Sequence, residues 1–152
     1  MEYENKPKIY LVASSIVTSF PGFVFILRGE YVQTSIAFLC CLFSILWHST
    51  KPRYMFILTL DKFFAYLTVG VAIHTAARSS VYSLIPLSSY VGLPYVLYHI
   101  GYQKKCFCFD PDPEKATRWH MVIHIYNGII GAFMAHHVTP SSSTVTLEKT
   151  TM

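Results

Sequence analysis

The stretch from Ile9 to Leu27, IYLVASSIVTSFPGFVFIL, contains no charged residue in 19 positions. A helix of about 20 mostly apolar residues is long enough to cross the hydrocarbon core of a bilayer, because each residue adds about 1.5 Å. Together with this stretch, four later apolar stretches predict transmembrane helices over about 9–27, 31–49, 54–76, 81–102 and 118–138. They are apolar on every side, whereas the surface helices of soluble proteins carry a polar face.

The composition also indicates a membrane protein. Hydrophobic residues make up 53% of the 152 positions and charged residues only 13%, which is unusual for a soluble domain. The linkers between the spans are short, so the helices are expected to be neighbours in one transmembrane domain over 1–139. We predict an all-α, multi-pass integral membrane protein, a bundle of about five helices, in an endomembrane (endoplasmic reticulum or Golgi) or the plasma membrane. The polar tail over 140–152 is predicted to be disordered.

Lysine and arginine residues are distributed unevenly among the loops. The N-terminal segment and the loops after the second and fourth spans share one face and carry most of these cations: Lys6, Lys8, Lys51, Arg53, Lys104, Lys105, Lys115 and Arg118. The positive-inside rule therefore predicts a cytoplasmic N-terminus. Because the cations flank spans and are not gathered on one helix, no nucleic-acid partner is predicted.

Polar residues in the spans are the candidates for chemistry. An ionisable group in a membrane helix costs a few kcal/mol and persists mainly where a partner or a function compensates. The second span ends in SILWH (44–48), the third contains Asp61 in LTLDK, and the fifth begins with His120 and His124 in HMVIH. Asp61 lies about seven residues into its span, roughly 10 Å deep. These side chains are all expected in the cytoplasmic leaflet.

The histidine spacing predicts a metal site. Residues four apart share one helical face, so His120 and His124 can bind one cation. His48 from a facing helix completes a three-histidine site with an open fourth position, as in catalytic zinc centres. Other interpretations are interfacial histidines bonded to headgroups, a serine bonded to the carbonyl one turn back, and a bis-histidine haem. The pair beside Asp61 favours a small cation over haem.

The order SxxxH, Asp and HxxxH resembles the superfamily of alkaline ceramidases, progestin and adipoQ receptors and haemolysin-III-like proteins. The resemblance runs from the second to the fifth span and depends on five residues, Ser44, His48, Asp61, His120 and His124. It implies zinc bound by the three histidines, with Asp61 and Ser44 beside the water that the zinc activates. Members with known activity are lipid amide hydrolases or receptors with a related site.

One difference concerns the number of helices. The core of that superfamily has seven, and between Asp61 and His120 this chain has room for two fewer. It is therefore expected to be either a reduced member whose bundle closes as a homo-oligomer, or a protein that keeps zinc for structure or sensing.

We predict a zinc-dependent intramembrane hydrolase acting on a lipid amide or ester, such as a sphingolipid or another N-acyl lipid. Zinc lowers the pKa of bound water to about 7 and polarises a carbonyl. Asp61 then moves the proton, and Ser44 donates a hydrogen bond to the oxyanion. The alternative is a non-catalytic receptor or interaction protein stabilised by zinc. Cys106 and Cys108 beside the fourth span are either palmitoylation sites or free thiols.

Overall fold

The computed structural model describes residues 9–49, 54–79 and 81–137. No strand occurs among them, and almost all are helical, which confirms the all-α class. The α-helices are α1 (Ile9–Val17), α2 (Phe20–Leu27), α3 (Tyr31–Ser49), α4 (Met55–Ala77), α5 (Leu84–Tyr95), α6 (Gly101–Lys104) and α7 (Pro113–His136). Short 3-10 turns cover Val81–Ser83 and Phe107–Phe109. The predicted disordered tail over 140–152 lies outside the described residues.

These segments form five helices, because α1 continues into α2 and α5 into α6. Three of the five, over Ile9–Leu27, Tyr31–Ser49 and Met55–Ala77, are long and apolar enough to cross a membrane. Their bounds agree with the predicted spans 9–27, 31–49 and 54–76. The part of the chain that the structure describes is thus that of a membrane protein, and the crossings predicted over 81–102 and 118–138 stay predictions.

Two helices are interrupted. Between α1 and α2 the chain makes a turn at Thr18 and Ser19, and Pro21 follows as the second residue of α2. The helix formed by α5 and α6 contains Pro94, which has no backbone N–H to donate. A π-helical turn over Val96–Ile100 follows it and leads into α6. Such a turn shifts the rotation of the residues beyond it by a fraction of a turn.

The last helix begins at Pro113, earlier than the predicted start at Arg118. Asp112 is its N-cap, and the side chain accepts hydrogen bonds from the backbone N–H groups of Glu114 and Lys115, at 2.9 and 3.4 Å. Proline is well suited to the first helical position, where its missing N–H is not needed. His120 therefore lies about two turns inside α7 rather than at its mouth.

The first helix packs between α3 and α7. Gly128 of α7 makes this approach close, since a Cβ atom there would lie 2.3 Å from the Val17 carbonyl oxygen. In contrast, α4 packs chiefly on α3 and touches α5 and α7 around Ala72 and Ala76. The chain therefore assembles α1, α3 and α7 tightly and leaves α4 at the edge of the bundle.

Candidate metal centre

Three histidine rings meet between α3 and α7. The ring centroids of His48 and His120 are 5.1 Å apart, those of His48 and His124 5.5 Å, and those of His120 and His124 4.7 Å. One nitrogen from each ring forms a set in which all three atoms lie within 4.8 Å of one another. The structure thus brings together the three residues that were predicted as metal ligands.

The position of each histidine on the buried face of its helix determines where its ring lies. His48 is in the last turn of α3, on a buried stripe of mostly small residues: Thr34, Ala37, Cys41, Ser44 and His48. His124 lies on the buried face of α7, one turn before Gly128. The first helix packs against both α3 and α7, and the imidazole rings of the two helices meet beside it.

The donor set is suited to zinc. Histidine nitrogens bind zinc at about 2.0–2.1 Å, so nitrogens on one tetrahedral ion lie roughly 3.4 Å apart. A movement of each of the three nitrogens by about 1 Å toward their common centre would bring them to that spacing. Three histidines leave one tetrahedral position open, and the Asp61 carboxylate lies outside the three-nitrogen set. His48, His120 and His124 could therefore hold zinc with an open position.

The first helix contributes two residues that sequence reasoning missed. The hydroxyl oxygens of Ser14 and Ser15 lie 3.1 and 3.2 Å from Nδ1 of His124. Both serines are buried, with 4% and 0% of their surfaces exposed. The signal in the sequence was a pair of serines in an apolar helix. Such serines most often bond the carbonyl one turn back, so the pattern alone did not indicate a site.

Ser44 and Asp61 connect to the histidines through Ser15. The Ser44 hydroxyl lies 3.0 Å from the Ser15 hydroxyl, and the Asp61 carboxyl interacts with Ser44 from α4. The hydroxyl groups of Ser44 and Ser15 thus link Asp61 to Nδ1 of His124. Both predicted catalytic residues therefore lie in the neighbourhood of the three histidines.

The π-helical turn between α5 and α6 contributes Tyr98. Its hydroxyl lies 3.2 Å from Nε2 of His120, and it is within electrostatic range of Asp61. The neighbouring His99 contacts Gln103 at 3.1 Å and stacks on Tyr95. Nothing in the sequence distinguished Tyr98 from the other tyrosines of this helix.

The opposite end of the bundle holds a separate group of polar contacts. Arg78 forms an ion pair with Glu30 at 2.8 Å. The Arg28 guanidinium donates to the His136 carbonyl oxygen, and the Ser79 hydroxyl donates to that of His137 at 3.3 Å. These contacts join the helix ends to one another.

The two juxtamembrane cysteines are both partly buried. Cys108 lies in the 3-10 turn before α7, and burial raises the pKa of its thiol to about 11. Little reactive thiolate then forms at neutral pH, because the thiolate is the nucleophile. Palmitoylation of Cys106 or Cys108 stays a prediction.

No protein-family profile, curated protein or solved structure matches this chain. The superfamily resemblance therefore continues to depend on the five residues that suggested it.

Proposed function

We propose that this protein is a zinc-dependent intramembrane hydrolase of lipid amides or esters, with zinc bound by His48, His120 and His124. The observation that carries the proposal is the set of three imidazole nitrogens within 4.8 Å of one another, in helices that are otherwise mostly apolar. Polar and ionisable groups inside a membrane bundle usually mark a functional site, because placing them there is costly.

The surrounding residues suit hydrolysis. When bound, zinc supplies a polarised water of lowered pKa and a Lewis acid for the substrate carbonyl. Asp61 can accept a proton from the attacking water and deliver it to the leaving amine or alcohol. Ser44 orients the Asp61 carboxyl in the free protein. During the reaction the same hydroxyl can donate to the oxyanion that develops on the substrate.

The position of α4 supports a lipid substrate. Only 6% of its spanning window is buried inside the bundle, against 39% for the Ile9–Leu27 helix. Near Asp61, the side chains of Phe63 and Tyr66 are 53% and 75% exposed on the outer surface of α4. In a bilayer these aromatic rings contact acyl chains. A lipid substrate can therefore approach Asp61 laterally from the bilayer and does not have to enter from the aqueous phase.

Replacement of Asp61 tests the proposal. Asp61→Asn removes the proton acceptor but none of the three zinc ligands, so zinc is expected to remain bound. Hydrolysis is expected to fall by about 10²–10⁴, the usual contribution of a general base. The assay follows fatty-acid release from ceramides, other N-acyl lipids and lipid esters by mass spectrometry, in detergent and in bilayers.

Thr59→Ala is the matched control, because Thr59 lies on the exposed surface of α4 and its hydroxyl donates to the Met55 carbonyl oxygen at 3.0 Å. Its activity is expected to equal that of the wild type. A zinc-loaded wild type that cleaves none of these lipids would contradict the hydrolase proposal.

A non-catalytic role for the same zinc site is the second candidate. The observation that favours it concerns the two described cavities, of about 290 and 330 Å³, neither of which is lined by a residue of the three-histidine set. In this role zinc joins α3 to α7 in a receptor or interaction protein. Asp61→Asn would then lower zinc affinity or thermal stability, and neither the wild type nor the variant would turn over a lipid.

A further inference from the structure

We infer that Ser14 and Ser15 are positioning residues that keep the proton of His124 on Nδ1 and so present Nε2 to the metal. This inference deepens the proposed function and rests on it, since it concerns the same zinc site. It adds α1 to the site, although the five-residue pattern of Ser44, His48, Asp61, His120 and His124 assigns nothing to that helix.

The contacts around Nδ1 come from two adjacent serines. The Ser14 oxygen lies 3.1 Å and the Ser15 oxygen 3.2 Å from Nδ1 of His124. All three side chains are at least nine-tenths buried, so water does not readily replace either contact. The ring of His124 is therefore oriented by protein groups on its Nδ1 side.

The hydroxyl hydrogens have acceptors of their own. Ser14 and Ser15 both lie within hydrogen-bond distance of the Leu11 carbonyl oxygen, at 3.0 and 2.8 Å. A carbonyl oxygen can only accept, so it favours donation from both hydroxyl groups. Ser15 has a second acceptor in the Ser44 hydroxyl at 3.0 Å. With their hydrogens donated elsewhere, the two serine oxygens accept from Nδ1–H of His124.

The Leu11 carbonyl also interacts with the ring of His124 itself. An acceptor-only group beside the ring again favours an N–H on the side that faces α1. A neutral imidazole has one N–H and one lone pair, so a proton on Nδ1 leaves Nε2 as the ligand atom. Metal-binding histidines typically donate their other N–H to such an acceptor, and loss of that partner typically lowers metal affinity 10–100-fold.

Because two oxygens share one N–H, their loss is expected to be non-additive. Ser14→Ala and Ser15→Ala alone should each weaken zinc binding less than about 10-fold, since the remaining oxygen still accepts. The double variant Ser14→Ala/Ser15→Ala should weaken it about 10-fold, at the lower end of the usual 10–100-fold range, because only the Leu11 carbonyl then remains as an acceptor. Dissociation constants are measured by competition with chelators on the purified full chain. Cobalt substitution provides the spectroscopic readout, with a changed visible spectrum expected in the double variant alone.

Ser19→Ala is the matched control. Ser19 is also buried and follows α1, but its hydroxyl donates to the Ile16 carbonyl at 2.7 Å. Its replacement should leave zinc affinity and the cobalt spectrum unchanged. Equal losses in all serine variants would indicate a general packing effect and overturn the inference.

A second measurement determines the tautomer of His124 in the wild type itself. Nitrogen NMR of histidine-labelled, metal-free wild type should show the Nδ1–H form at His124, assigned by the missing signal in His124→Gln. An Nε2–H form would overturn the inference. If the wild type binds zinc through His120 but the double serine variant binds equally tightly, only the inference about α1 fails. If the wild type does not bind zinc at all, the proposed function fails.

Discussion

Three neutral imidazoles whose nitrogens converge direct only one nitrogen each toward the set, so the N–H groups and lone pairs cannot all be paired within it. A proton added to any of them would place a positive charge within 4.8 Å of two further rings in a poorly solvated bundle. One divalent cation resolves both conditions, because it takes up three lone pairs at once. At the scale of single residues, His48, His120 and His124 are therefore better explained as a ligand set than as three unrelated packing residues.

Removal of one ring should abolish stable zinc binding. His48→Ala leaves two ligands on α7 and is expected to lower occupancy from about one zinc per chain, as a three-histidine site requires, to a small fraction of that. Metal analysis after gel filtration measures the change. His99→Ala is the control, because His99 contacts Gln103 and Tyr95 instead. Full zinc occupancy in a protein lacking both His120 and His124 would contradict the site.

Individual residues of the site differed in how far the sequence predicted them. The spacing of His120 and His124 places them on one face whatever the tertiary fold, and His48 is conspicuous in an apolar span. Ser14 and Ser15 could not be predicted, because their role depends on which helix packs against α7. Tyr98 depends in addition on the π-helical turn, which rotates it relative to an uninterrupted helix.

At the scale of helices, the contact between α1 and α7 positions the site. Gly128 allows it, since the Val17 carbonyl oxygen occupies the space that a side chain would need. His124 is one turn away on α7, and Ser14 and Ser15 are within one turn of Val17 on α1. A change in the separation of α1 and α7 should therefore displace His124 from its hydrogen-bond partners Ser14 and Ser15.

Gly128→Ala is expected to destabilise the protein by about 1–3 kcal/mol, the usual effect of an added methyl group in a tightly packed contact. It should also weaken zinc binding, because α1 must move away from His124. Thermal unfolding in detergent and chelator competition measure the two effects. Gly70→Ala on α4 is the control, since nothing lies within 4 Å of the added Cβ. Equal melting temperatures for both variants would contradict this account of the contact.

Helix boundaries were predicted well where apolarity defines them and less well where capping does. The bounds of α3 and α4 follow from apolar runs between polar linkers. The start of α7 is determined instead by the cap of Asp112 and by Pro113, which add more than a turn of polar helix before the apolar part. Hydropathy does not register that turn, so the predicted start at Arg118 was late.

At the scale of the whole molecule, the helices alternate in direction along the chain, and the three-histidine site lies toward the end that carries Lys104 and Lys115. The ion pair of Arg78 with Glu30 lies at the other end. The sequence predicted the helical class and the end at which the site lies. Hydropathy alone does not define the number of crossings, because the Leu84–Lys104 helix is interrupted and α7 carries many polar residues.

Topology measurements test the orientation. An impermeant maleimide should label Cys106 only after the membrane is permeabilised, because the positive-inside rule places that loop in the cytoplasm. A Cys108→Ser background removes the other thiol of the loop. A glycosylation acceptor inserted after Pro140 should be modified, as five crossings put it on the far side. A cytoplasmic tag at that position would indicate an even number of crossings.

The order of the site residues along the chain has a consequence for biosynthesis. Ser15 and His124 are separated by 109 positions, and His48 lies between them, so the site combines an early, a middle and a final helix. During translation the early helices enter the bilayer before His120 and His124 are present to contact His48 and Ser15. Only insertion of the last helix creates a complete binding site. Capture of a cation would then report that α7 has been inserted, and chains interrupted before α7 would lack the site.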